Sequence, residues 1–269
     1  MLEYLLFIFF ALFATLSLTS CSDWLGEDKL DYDKVSFGTI TKPAAPTPYK
    51  DDESIPLKDV AIVTDDSLWL YPTNITEMSS YKALEGQRVI LYYKYDDDYL
   101  VNPKVSSAEK ISTKDNTENI KKKYVKVAKI QNILTKGILN TNRIDTVKND
   151  PATLYDACFG SNVNTGKRYL NLYFVAAAGL YKPHYIYLVN DLNAGNPVNE
   201  EGYYCLELRH DANDDIKQNT SGAYVSFILD QECYAMGIKG IRVTYTNEFN
   251  EKKRADIPFT KVKWSNYAD

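Results

Sequence analysis

Histidine is almost missing from this chain, with two in 269 residues. That scarcity excludes His-rich metal centres, and no His-Glu-x-x-His occurs to hold a catalytic zinc. Gly-x-Ser-x-Gly, Gly-x-x-x-x-Gly-Lys and Cys-x-x-Cys are absent too, which removes the nucleophile elbow, the phosphate loop and the paired-thiol sites. Nucleophilic catalysis needs a base held against Ser or Cys and a third group to orient that base; no such set is legible. Carboxylates are plentiful but crowd into turns, so no glycosidase pair stands out. The expectation is a protein that is not an enzyme and needs no cofactor.

Long apolar runs are equally scarce. The one candidate, residues 5–16 (LLFIFFALFATL), is shorter than the roughly 18–20 residues needed to span a bilayer, and it suits the core of an export signal. No Lys or Arg precedes it, although such signals normally open with positive charge. Cysteine is sparse at four. Setting Cys21 aside leaves Cys158, Cys205 and Cys233, an odd number that cannot all pair. Buried free thiols are the main reading, with one disulfide among the three left open.

Charge of one sign is missing from the body. Residues 22–56 carry eight acids and four lysines, a net −4, whereas residues 57–269 hold 27 of each sign. A balanced body has no field to draw nucleic acid, so nucleic acid is not an expected partner.

What is present begins at Leu18-Thr19-Ser20-Cys21, which resembles a bacterial lipobox. Cleavage before Cys21 and its lipidation would make the membrane a partner through that residue. Residues 1–20 then read as signal peptide and 21–56 as a disordered, acidic tether containing the Pro-rich stretch Thr41–Pro48 (TKPAAPTP). Ser22-Asp23 and the acids that follow resemble the surface-export signal of Bacteroidota lipoproteins. The expected location is the cell envelope, as an outer-membrane lipoprotein, with exposure at the surface left open.

Strands follow. The 22 tyrosines, with alternating Val and Ile, favour β-structure. Residues 60–64, 67–71, 87–95 and 124–133 read as strands of a small barrel over 57–148, with one helical turn or more at 74–81 and a long polar loop at 102–123. A polar junction at 136–151 follows. Over 149–269, strands are expected at 154–159, 169–176, 184–189, 203–209, 223–229, 240–246 and 255–259, a pattern that fits a β-sandwich. Leu170/Leu172/Phe174, Tyr204/Leu206/Leu208 and Ile241/Val243/Tyr245 should face the space between its sheets.

KVAKIQNILTKGI at 126–138, YLNLYF at 169–174 and LELRHDANDD at 206–215 resemble the NigD-like lipoproteins of Bacteroidota. The resemblance implies an all-β protein, with an OB-like barrel domain followed by an immunoglobulin-like β-sandwich. It carries no activity and no functional residue set. The family's genetic association with a bacteriocin adds self-protection as a second reading.

The remaining site candidates are weak patterns. Tyr92, Tyr93 and Tyr95, with Tyr99, Lys94 and Lys121–Lys123 nearby, could stack on a sugar, or could simply fill the barrel. Asp66-Ser67-Leu68 and Asp145-Thr146-Val147 match a loose O-glycosylation pattern at Ser67 and Thr146. Asp211, Asn213 and Asp215 have the opening spacing of a calcium loop. Ile216 stands where that loop needs glycine and Gly222 where it needs glutamate, so the stretch reads as a polar turn. His184 reads as an ordinary strand residue. The expected role is a binding or assembly module with an unknown envelope protein as partner, or alternatively a glycan.

Overall fold

A computed structural model describes residues 31–42, 54–55, 59–97, 122–179, 181–215 and 219–260. Cys21, the expected signal segment 1–20 and most of the polar stretch 102–123 lie outside the described residues. The chain forms two compact units: the described residues up to Ile133 together with Ser161–Thr165 make the first, and Leu134–Gly160 with those from Gly166 onward make the second.

The first unit is a closed five-stranded barrel. Its strands are β1 (Lys34–Thr41), β3 (Ala61–Thr64), β4 (Trp69–Pro72), β6 (Arg88–Tyr95) and β7 (Lys122–Asn132), in the order β1-β3-β4-β7-β6 and back to β1. The pair β4–β7 is parallel and the other pairs are antiparallel. Counting only these strands, the order is first-second-third-fifth-fourth, the Greek-key closure of an OB barrel. Two short strands, β2 (Ser54–Ile55) and β5 (Ala83–Leu84), pair outside it.

The barrel's strands obey alternation. Val89, Leu91 and Tyr93 of β6 and Val125 and Val127 of β7 pack inward with Ile40, Ile62 and Leu70. The expected helical stretch at 74–81 forms consecutive turns, and its Met78 and Tyr81 are buried in the same core. Asn74 fastens those turns. Its amide donates to Val127 O at 2.9 Å and accepts from Val127 N at 2.9 Å, a side chain standing in for a neighbouring strand.

β1 corrects the sequence reading, which placed residues 34–41 in the tether. This strand pairs with β3 on one side and β6 on the other. Gly38 sits at the tightest point, where a Cβ would lie 2.6 Å from Ile62 Cγ2. At the same seam Arg88 is fully buried and makes a two-pronged pair with Asp65, at 2.5 and 2.8 Å, while also donating to Thr39 Oγ1 at 3.2 Å. The pair locks the turn after β3 onto the β1–β6 seam.

The second unit is a two-sheet sandwich. One sheet has the order β10-β11-β14-β8, from β10 (Ala152–Ser161), β11 (Arg168–Ala178), β14 (Asn219–Ile228) and β8 (Leu134–Gly137). The other has the order β16-β15-β13-β12-β9, from β16 (Lys252–Pro258), β15 (Gly240–Thr246), β13 (Tyr203–Asp211), β12 (Tyr185–Asp191) and β9 (Leu139–Thr141). The fold is therefore all-β, a barrel followed by a sandwich, and no α-helix occurs among the described residues. The three apolar triplets expected to face inward do so, with Tyr245 at the edge of the core.

The domain boundary differs from the expected 148/149. Residues 134–141 are β8 and β9, and they pair in parallel with β14 and β12 of the sandwich. One short segment thus serves both sheets, switching at Ile138, which packs on the shared core. Lys136 reinforces the crossing: its ammonium donates to Ile186 O at 2.8 Å and lies 4.0 Å from the Tyr187 ring centroid.

Two outcomes follow from these seams. A fragment beginning at residue 57 lacks β1 and should show no protected amides in β3 and β6 by hydrogen exchange, whereas one beginning at residue 31 should protect both. Arg88→Ala strands the Asp65 carboxylate and should cost about 3–5 kcal/mol in urea unfolding of the 31–269 fragment; a loss below about 1 kcal/mol would show that the pair is dispensable.

Candidate functional site

The three barrel tyrosines do not form one platform. Tyr93 points into the barrel at 2% exposure, with its hydroxyl 3.2 Å from Ser36 Oγ, and burial pushes its phenol up to about 12. Tyr95 lies edge-on to it at 6.0 Å, with the ammonium groups of Lys34 and Lys123 at 5.0 and 5.4 Å from its ring. Alternation sends Tyr92 to the other face, against Tyr32 at 5.1 Å. Ligand stacking by Tyr92, Tyr93 and Tyr95 together is corrected on this ground.

Ser67 is exposed in a turn at φ 69°, and Thr146 is exposed with its hydroxyl donating to Arg143 O at 2.8 Å. Both expected O-glycosylation positions thus lie on turns, with the Thr146 hydroxyl already engaged.

An aromatic row does occur, on the sandwich. Tyr155 of β10, Tyr173 of β11 and Tyr224 of β14 stand on adjacent strands, with ring centroids 6.4 and 4.7 Å apart. Tyr173 and Tyr224 are register partners. The row depends on Gly222: a Cβ there would meet Tyr173 Oη at 2.2 Å, so the missing side chain lets the ring lie down on the sheet. Tyr155 is 62% exposed. Sequence reading passed over this row because one tyrosine per strand looks like ordinary strand composition until the strand order is known.

The outer face of the second sheet is ionic. Arg242 of β15 pairs with Asp256 at 2.5 Å and with Glu201 at 2.6 Å. Hydrogen bonds from its guanidinium hold both carboxyls below their ordinary range. Beside it, a hollow of about 270 Å³ is lined by Glu207, Thr244, Lys252 and Arg254 among others. Three basic side chains, Lys252, Lys253 and Arg254, and one acid, Glu207, line it.

The two histidines come together at one end of the sandwich. His210 lies in the inward series of β13 and is 2% exposed. His184 immediately precedes β12, whose Ile186 is the register partner of His210. His184 Nδ1 is 2.9 Å from His210 Nε2, His184 Nε2 is 3.4 Å from Asp215 Oδ2, and His210 Nδ1 is 3.3 Å from Pro151 O. Burial, reinforced by His184, lowers the His210 pKa. The missed signal was strand pairing: one residue opens a hairpin strand and the other closes its partner.

The turn after His210 is built as Asx turns. Asp211 Oδ1 accepts from Asn213 N at 2.7 Å, Asp150 Oδ2 accepts from Ala212 N at 2.9 Å, and Asn213 and Asp214 both sit at φ 53°. Lys148 pairs with Asp214 at 2.9 Å. Among the described residues no three His, Cys, Asp or Glu side chains converge as metal ligands. No helix among them is long and apolar enough to cross a membrane.

No disulfide joins Cys158, Cys205 and Cys233. Cys233 is fully buried and burial pushes its thiol up to about 12, while Cys205, raised by burial as well, is half-buried. Since the thiolate is the reactive form, alkylation near neutral pH should label Cys158 and Cys205 slowly and Cys233 only on unfolding. Peptide mapping that found Cys233 modified at the rate of the other two would contradict its place in the core.

Residues 135–259 match the family model of the NigD-like C-terminal beta sandwich domain. No curated protein matches the chain. Solved structures do. A protein of unknown function from Bacteroides vulgatus is 19% identical, with 87% of this chain and 96% of that one covered at a TM-score of 0.59. A NigD-like immunity protein from Bacteroides caccae is 19% identical, with 82% and 91% covered at 0.51. A candidate lipoprotein from Bacteroides fragilis is 10% identical, with 85% and 99% covered at 0.52. At such identities the likeness establishes the shared two-domain fold.

Proposed function

We propose that this chain, which belongs through residues 135–259 to the proteins with a NigD-like C-terminal beta sandwich domain, is a non-enzymatic lipoprotein of the cell envelope that works as a binding or assembly module. The observation that carries the reading is the tyrosine row over Gly222. It is a row of one exposed ring, Tyr155, and two half-buried rings, Tyr173 and Tyr224, on a sheet whose other face is spent on the core. Exposed Tyr supplies large contact area at low conformational cost.

Anchoring rests on Cys21 and on likeness to a candidate lipoprotein. Because β1 belongs to the barrel, twelve residues separate Cys21 from Lys34. A coil of that length reaches about 20 Å, so the barrel would be held close to the membrane on a short leash. One acyl chain binds a bilayer reversibly, while several anchor it stably.

The self-protection reading is favoured by the fold it shares with an immunity protein. The glycan reading survives on different residues, since the Tyr155–Tyr173–Tyr224 row is the better stacking surface.

Cys21→Ala should move the protein from the membrane pellet to the soluble fraction or leave it unprocessed, and a processed variant still in the pellet would sink the lipoprotein assignment. Tyr155→Ala combined with Tyr224→Ala should abolish an envelope protein crosslink made by the wild type. A crosslink kept by the double variant would remove the row from the interface. A deletion strain that becomes sensitive to a co-resident bacteriocin would favour self-protection over assembly.

A further inference from the structure

The hydrogen bonds of His184 and His210 can be counted, and the count does not close with neutral rings. Three contacts run in series: Pro151 O to His210 Nδ1, His210 Nε2 to His184 Nδ1, and His184 Nε2 to Asp215 Oδ2. All four ring nitrogens are used. The series ends on a carbonyl at one side and a carboxyl at the other. Each contact needs one proton. Two neutral imidazoles supply one each, and an ionised carboxylate supplies none. If His210 donates to Pro151 it must accept from His184, and His184 then turns a bare nitrogen toward Asp215. If His184 donates to Asp215 instead, His210 turns a bare nitrogen toward Pro151 O. Either arrangement sets two acceptors face to face.

We propose that His184, His210 and Asp215 form a proton latch, holding one shared proton beyond the two of neutral rings and tying the start of β12 to the 211–215 turn. The third proton resides either on His184, as an imidazolium facing a carboxylate, or on Asp215, as a carboxylic acid facing a neutral ring. Both placements close every contact. The burial of His210 and of the Asp215 side chain, at 2% and 1% exposure, keeps water from repairing a mismatched contact.

The groups around the latch fit one added proton and resist a second. Asp150 and Asp211 face His210, and both carboxylates already accept backbone N–H groups. Asp214 is taken by Lys148, and its backbone oxygen accepts from Lys182 at 3.3 Å. The lowered pKa of His210 makes it the neutral member, with its Nδ1 proton on Pro151 O.

The sign of the pH dependence follows for each side. The shared proton is bound in the folded state, so the stability it contributes is present while it is held and is lost as pH rises and removes it. His210 refuses a proton in the folded state and accepts one unfolded near 6.5, so its contribution is lost as pH falls through that value. Stability should therefore peak between the two losses.

The test uses the 31–269 fragment, which retains the closed barrel and the sandwich. At about pH 7.5 free imidazoles are neutral. There, nitrogen-15 shifts should show His210 protonated at Nδ1 only. They should also show either both nitrogens of His184 protonated, or His184 protonated at Nδ1 with the Asp215 carbon shift of a protonated acid; both patterns support the latch. Two neutral rings beside an ionised Asp215 overturn it. Asp215→Asn gives a second, independent readout. Its amide carries a permanent N–H and can close the series without the extra proton. Wild-type stability should fall as pH rises from about 7 to 9, while the Asn variant should stay level. Equal slopes in the two proteins would overturn the latch even if the variant were less stable overall.

Discussion

A β-sheet edge is a row of unpaired N–H and C=O groups, and hiding those rows is the constraint on which this structure depends. The barrel meets it by closing on itself, with a strand that belongs to two neighbours. In the barrel that strand is β1, bonded to β3 and β6 at once. Without it the remaining strands are an open sheet with two bare edges and an exposed apolar face. In the sandwich β8 and β9, one segment, cover β14 of the first sheet and then β12 of the second, and are themselves the terminal strands. Side chains then reinforce what the backbone closes. Arg88 and Asp65 lock the barrel seam, and Lys136 spans the sandwich edge. The buried pair is useful as a positioning device because each partner is costly alone, which ties the turn after β3 to the start of β6.

The same constraint explains which elements were legible from sequence. The seven long sandwich strands and β6 and β7 carry the strand pattern in their own residues, and the four-residue β3 and β4 read as apolar runs bounded by turn residues; all lie where the sequence places them. The closing segments do not. β1 is KVSFGTIT, with a glycine in its middle and a proline-rich stretch right after it, which reads as linker. Its glycine is a packing requirement: Ile62 occupies the space a side chain would need. β8 and β9 are four and three residues long, too short to show alternation, and they read as a polar junction. Their strand character comes from partners about 50 to 90 residues away in the chain. Information of that kind sits in the pairing and not in the segment.

Site residues divide the same way. Tyr92, Tyr93 and Tyr95 were grouped by nearness in sequence, and alternation separates them. Tyr155, Tyr173 and Tyr224 are scattered in sequence, and strand order gathers them. His184 and His210 looked unrelated until the register of β12 with β13 set them side by side. In an all-β fold most contacts are non-local, so residues that act together are seldom adjacent in the chain. Local motifs are therefore poor guides to function here. The absence of local catalytic motifs from the sequence bears on local sites alone.

The histidine cluster shows why position in the fold matters more than residue type. His210 continues the series Tyr204, Leu206, Leu208 on β13, so it occupies what would otherwise be a core position. An apolar residue there would pack without any proton inventory. A histidine obliges the fold to supply partners for two nitrogens, and it does so with Pro151 O on one side and His184 on the other. His184 in turn needs Asp215. The chain of obligations ends on a carboxyl whose protonation state decides whether all three contacts can be made together. The two loops that flank the β12–β13 hairpin, 181–184 and 211–215, are thereby fixed to each other through the half-buried His184 and its buried partners His210 and Asp215. A core position that could have been indifferent to pH has instead been made to depend on it, at the one end of the sandwich where two loops meet.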